Sequence, residues 1–168
     1  MFAVNDVVVY GTQGVCRIVG TEEKRVDGER KVYFVLKPMT DRGATCYVPT
    51  WNEKALSKMR SVMSKAEVDA LIDSMPNKNP IWIDNEAERK EACKRVLASG
   101  HRGDILSMMQ AVYLHKKERE AAGRRLRISD EAFLKEAEQL LYSEWQYVLN
   151  VDKAGLMDYI FSRMEGNG

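Results

Sequence analysis

The chain has 168 residues, 45% of them hydrophobic and 30% charged, with a formal net charge of +1. That is room for one ordinary domain or two small ones, and the composition is that of a folded soluble protein, not a disordered one. No apolar run approaches the ~20 residues of a membrane span, and the opening residues lack the basic and apolar segments of a signal peptide, so a cytoplasmic protein is expected.

Residues 1–50 read as β-structure. Val7-Val8-Val9-Tyr10 is a short apolar run closed by Gly11-Thr12-Gln13-Gly14, and residues 15–19 follow as a second run. Residues 23–25 and 31–36 flank Val26-Asp27-Gly28-Glu29. Asp-Gly between two strand candidates predicts a type I′ hairpin, whose central residues both need positive φ. A last strand over 44–48 ends at Pro49. Four or five short strands with tight turns predict a small twisted barrel of the SH3 or Tudor type, with Trp51 closing it.

Beyond Trp51 the apolar period lengthens to that of a helix. Ser64-Lys65-Ala66-Glu67 is a capping box for a short helix ending before Pro76. The segment Pro76-Asn77-Lys78-Asn79-Pro80 is a polar linker. Helices are then predicted over about 85–99, 104–122, 129–149 and 152–164. Gly100 and Gly123 stop the first two of these, and Ser129 caps the third. Ile105, Met109, Val112 and Tyr113 form one apolar stripe, and Phe133, Ala137, Leu140, Leu141 and Val148 another, so the helices are expected to pack as a bundle. The fold class is therefore α+β: residues 1–55 a β-barrel domain, residues 56–168 an all-α domain.

Chemistry is sparse. Cys16, Cys46 and Cys93 are widely spaced and form no CxxC pair, which argues against a disulfide framework or a zinc site; they read as buried or half-buried free thiols. His101 and His115 join no metal or triad spacing and read as structural or surface residues. No nucleotide-binding or nucleophile-elbow motif occurs. An enzyme, a metal, a cofactor and a small-molecule substrate are therefore not expected.

Two features stand above this background. Residues 76–127 carry twelve Lys/Arg against seven Asp/Glu, whereas residues 128–168 carry three against eight. Within the basic part, Lys116-Lys117-Glu118-Arg119 and Arg124-Arg125-Leu126-Arg127 cluster at a helix end. Such a run can hold phosphates without reading sequence, or it can be a solvated face, or pair with the acidic stretch. The second feature is Trp82, in Asn79-Pro80-Ile81-Trp82-Ile83-Asp84. It lies outside any periodic stripe, either as a staple on the following helix or as an exposed contact residue.

The chain resembles the CarD/CdnL family of bacterial transcription regulators, whose N-terminal RNA-polymerase-interacting domain is shared with transcription-repair coupling factors. The matching residues are Phe2, Val4, Asp6, Val8-Val9-Tyr10, Gly14, Gly28-Glu29, Tyr33, Val35-Leu36-Lys37 and Val48-Pro49, then Trp82, Arg89 and Leu97-Ala98-Ser99-Gly100. Gly11 and Tyr47 stand where many members have Pro and some a basic residue. The resemblance implies a Tudor-like domain that binds the β subunit of RNA polymerase, with Lys24, Arg25 and Tyr47 as polymerase-facing candidates. It implies a helical domain that meets promoter DNA at the upstream edge of the bubble, with Trp82 as a minor-groove wedge. Arg89, Lys90, Lys116, Lys117, Arg124 and Arg125 are the accompanying DNA candidates. The expected function is stabilisation of the open promoter complex. Rival readings are a protein–protein adaptor on the polymerase and a fragment of a repair-coupling helicase.

Overall fold

The computed structural model describes residues 1–39, 43–77 and 79–166; Lys78 of the polar linker lies outside them. The chain divides into two compact units, Met1–Val62 and Met63–Gly168. The boundary read from sequence, between 55 and 56, falls at the end of a short helix inside the first unit. The last strand of that unit lies beyond it.

The first unit contains β1 (Val7–Tyr10), β2 (Gly14–Val26), β3 (Glu29–Pro38), β4 (Cys46–Pro49), α1 (Glu53–Leu56) and β5 (Met59–Ser61). The strands form one antiparallel sheet in the order β4-β3-β2-β1-β5. Among the described residues no pairing joins β4 to β5, so the element present is a five-stranded sheet and not the closed barrel expected. Asp27 and Gly28 turn the β2–β3 hairpin with φ of 52° and 81°, as a type I′ turn requires. The two runs read as separate strands at 15–19 and 23–25 are one long strand. Ile18 pairs with Leu36 and Gly20 with Val35, so Val19 is an extra residue that bends β2 while keeping it continuous. Val8, Cys16, Ile18, Leu36, Val48 and Met59 are buried on one side of this sheet.

The second unit is helical: α2 (Lys65–Asp73), α3 (Glu86–Ser99), α4 (Arg102–Ala121), α5 (Ile128–Leu149) and α6 (Lys153–Gly166). The capping box at α2 forms in both directions between Ser64 and Glu67. Asn85 caps α3, and Gly100 ends it in the left-handed conformation. Two caps differ from expectation. His101 Nδ1 accepts from the Asp104 N–H at 3.3 Å and so starts α4 earlier than predicted. Arg127, not Ser129, precedes α5; Ser129 lies within its first turn and donates to Glu86 Oε1. The core runs from Val68 and Ile72 through Leu106, Ala137 and Trp145 to Leu156. Tyr113, predicted on the inner stripe of α4, is exposed.

Ionic ties link the helices of this unit. Glu144 is 2% exposed and accepts from the Met63 N–H at 2.8 Å and from Arg102 Nε and Nη2 at 2.7 and 2.6 Å. At the other end of the bundle, Arg163 reaches Asp73 with both Nε and Nη2 while Tyr159 donates to Asp69, fastening α6 to α2. No helix among the described residues is long and apolar enough to cross a membrane.

The cysteines are free, with Cys16 and Cys93 buried and Cys46 half-buried. Burial pushes the Cys16 thiol up to about 11, with Cys46 adding to the rise; burial also raises Cys93. The Cys16 and Cys93 thiols therefore stay protonated and pack as small apolar groups.

Candidate functional site

In the sheet unit, alternation along the strands sorts the polymerase-facing candidates. Lys24 lies opposite Lys31, Tyr33 opposite Pro49 and Val35 opposite Tyr47. Cross-strand partners share a face and neighbours along a strand do not. Lys24, Lys31, Tyr33 and Tyr47 therefore share one face, while Arg25, opposite Arg30, belongs to the other. The ammonium of Lys24 sits 3.6 Å from the Tyr47 ring centroid and 5.5 Å from that of Tyr33. Lys31 sits 4.0 Å from the ring of Trp51, which meets Tyr33 edge-on. Trp51, expected to close the β-domain as a core residue, is instead 48% exposed on this cationic aromatic face. Beside it β4 is a sheet edge, and among the described residues no strand pairs with its outer side, where main-chain groups can meet a partner strand.

In the helical unit, everything converges on the extended segment 79–84 that precedes α3. Arg89, one turn into α3, is 3% exposed and faces Asp130 of α5, which is fully buried. Its Nε and Nη2 donate to the two carboxylate oxygens of Asp130 at 2.8 and 3.0 Å. Its Nη1 donates to the carbonyls of Ile83 and Asp84 at 3.0 and 3.2 Å. This planar, two-pronged pairing ties α3 to α5 and pins the chain just after Trp82. Arg89, a DNA candidate from the sequence, is thus buried, with its hydrogen bonds directed to groups inside the protein.

Trp82 is half-buried against the helical core. Its indole stacks on the His115 imidazole of α4, with ring centroids 3.7 Å apart and planes 12° from parallel. The Arg89 guanidinium lies 4.5 Å from the indole centroid. Ile81, immediately before it, is 84% exposed. Segment 79–83 forms one wall of a mostly apolar cleft of about 450 Å³, with Cys93, Met108 and Val112 from α3 and α4 on the other. Trp82 thus has staple contacts and an accessible part at once. Burial, then the charge of Arg119, lowers the His115 pKa below its ordinary value; Asp130 and Glu118 oppose this and Arg89 adds to it.

The basic run adjoins the stack. Lys116 is half-buried and Lys117 exposed, the latter 5.0 Å from the Tyr113 ring. After α4 the chain turns at Gly123, φ 74°. The Arg124 N–H donates to the Arg119 carbonyl, and Arg119 Nε donates to the Arg125 carbonyl at 2.7 Å. Leu126, buried, anchors the loop from below. Arg124 and Arg125 project outward on this ordered loop. Among the described residues no ion pair is found for Lys116, Lys117, Arg124 or Arg125, and all but Lys116 are exposed. Lys90 and Arg127 instead share Glu86, at 3.4 and 3.6 Å; the Lys90 hydrogen bond holds that carboxyl below its usual range. The basic and acidic stretches do pair across helices, through Arg89–Asp130 and Arg102–Glu144, but not through the Lys116–Arg125 cluster.

The contacts of His115 and Arg119 are not legible in the sequence. Nothing local links His115 to Trp82, because the pairing depends on how α4 lies against the linker. Arg119 was visible in the basic run, and its role as the loop's anchor was not. Among the described residues no three His, Cys, Asp or Glu side chains gather in a way that could hold a metal ion. Residues 2–62 match the family model described as the CarD-like/TRCF RID domain, with the matched segment ending where the sheet unit ends.

Proposed function

We propose, from the match of residues 2–62 to the CarD-like/TRCF RID domain model, that the chain is a transcription regulator which docks on the RNA polymerase β subunit and stabilises the open promoter complex. The matched domain model supports a role in transcription and a contact with RNA polymerase. The β4 edge offers main-chain hydrogen bonds to a strand of the partner, a mode in which the backbone gives affinity and side chains give specificity. Lys24 and Tyr47 beside that edge supply the side-chain part; Arg25, on the opposite face, is a weaker candidate. Tyr47→Ala in the full-length protein is expected to weaken capture of the β subunit roughly 5-fold or more, since the ring carries both apolar contact and the Lys24 cation–π partner, together worth about 1 kcal/mol or more. Quantitative pull-down measures this; capture equal to wild type by Tyr47→Ala and Lys24→Ala alike would remove this face from the interface.

The observation that carries the DNA half is the accessible part of Trp82 next to a cluster of unpaired cations. An aromatic wedge favours unstacked DNA, which exists only after melting. A protein that binds the melted state better shifts the equilibrium toward it. Phosphate contacts from Lys116, Lys117, Arg124 and Arg125 add affinity without reading sequence. Replacing these four by Gln is expected to flatten the dependence of log affinity on log salt by about 0.9 for each phosphate no longer neutralised. Titration of a pre-melted promoter duplex at several salt concentrations gives the slope. An unchanged slope would favour the adaptor reading, in which exposed Ile81 and Ile128, 84% and 88% accessible, dock on a protein partner instead.

A further inference from the structure

We propose that His115 is the positioning residue for Trp82, the flat platform that fixes which edge of the indole faces outward. This rests on the reading that Trp82 meets DNA. Trp82 lies on an extended segment with no helix or strand of its own to orient its side chain. Arg89 fixes the backbone after it through the carbonyls of Ile83 and Asp84, and its guanidinium lies 4.5 Å from the indole centroid, which leaves the plane of the ring to be completed by a closer, stacked partner. His115 supplies that plane. The rings are near-parallel at 3.7 Å, close enough that rotation of the indole about its own bonds would collide with the imidazole. The platform is itself rigid: it lies within the 20-residue helix α4, one turn before Arg119, whose side chain holds the loop that presents Arg124 and Arg125. One stretch of α4 therefore sets both the wedge and the adjacent phosphate contacts, and a side chain fixed in advance binds without a further ordering cost.

The platform is also titratable, and its surroundings settle the sign. Facing His115 are Arg119 and Glu118 from α4, Arg89 from α3 and Asp130 from α5. Burial and the two arginines disfavour the imidazolium more than the two carboxylates favour it, so the neutral ring persists to lower pH than in free histidine. As pH falls through that lowered value, the ring takes a charge its site accommodates poorly, and the stack loosens.

The test uses the full-length protein, RNA polymerase holoenzyme and a linear promoter duplex. The quantity read is the ratio of open-complex lifetimes with and without the protein, which cancels the polymerase's own response to pH. His115→Ala is expected to lower that ratio about 2- to 10-fold, the range a stacked pair of rings is worth, with melting temperature little changed. His115→Phe, flat but not titratable, is expected to restore it and to remove its decline as pH falls below the ordinary imidazole range. Combining His115→Ala with Trp82→Ala is expected to add nothing to Trp82→Ala alone. A ratio unaffected by Trp82→Ala would overturn the DNA reading of Trp82 and this role with it. A ratio reduced by Trp82→Ala but not by His115→Ala overturns the platform alone. So does a failure of His115→Phe to rescue, or an indole N–H resonance of Trp82 that stays put in the NMR spectrum of His115→Ala.

Discussion

Replacing Arg89 with Met is expected to cost about 3–5 kcal/mol of the helical unit's stability, because removing one partner of a buried ion pair leaves the other charge stranded. Asp130 is fully buried and has both carboxylate oxygens on Arg89, so the stranded charge has little access to water. The loss corresponds to a factor of roughly 100 or more in the folding equilibrium. The double variant Arg89→Met with Asp130→Leu is expected to recover much of the loss, since an apolar pair of similar volume avoids the desolvation penalty on both sides. Denaturant unfolding followed by far-ultraviolet circular dichroism measures both. The polymerase contact of residues 2–62 should survive, because that unit has its own core. Were Arg89→Met as stable as wild type and reduced only in the salt dependence of DNA binding, Arg89 would be the surface contact that its place in the sequence implied.

Glu144→Gln is expected to destabilise the same unit by about 2–4 kcal/mol, from the loss of its charge-assisted bonds to Arg102 and to the Met63 N–H. The amide keeps the shape of the carboxylate but can no longer accept at both oxygens, which in the native protein serve Arg102 and the Met63 N–H together. Arg102 is itself 24% exposed on its side chain, so water offsets part of the loss, and the figure falls below that for Arg89. A chemical-denaturation midpoint unchanged in Glu144→Gln would mean that the Glu144 interactions contribute no net stability.

Much of the fold was readable because its signals are local. Asp27-Gly28 states its turn in two residues, Ser64 and Glu67 state a helix start in four, and Gly100 marks a stop with one. What escaped depends on distance. The strand over Met59–Ser61 has one buried apolar residue, Met59, and exists because β1 offers it an edge to pair with. The long β2 looked like two strands because the bulge at Val19 and Gly20 interrupts the alternation without breaking the chain of hydrogen bonds. The same holds for the site. Lys116, Lys117, Arg124 and Arg125 were found as a run of like charge. Arg89 carries the same charge but has its partner 41 residues downstream, and nothing in the spacing of α3 distinguishes it from a surface arginine. The family resemblance, for its part, reached Trp82 but not the imidazole beneath it.

The three indoles occupy three different environments. Trp145 is sealed in the helical core, Trp51 stands in water on the sheet unit, and Trp82 lies half-covered on His115. An excited indole lowers its emission energy as surrounding dipoles reorient, so Trp145 emits to the blue and Trp51 to the red. The protein thus has an internal optical label in each unit and a third at the proposed DNA contact. With Trp51 and Trp82 replaced by Phe in turn, melting of the sheet, melting of the bundle and arrival of DNA can be followed as three separate colours in unlabelled protein.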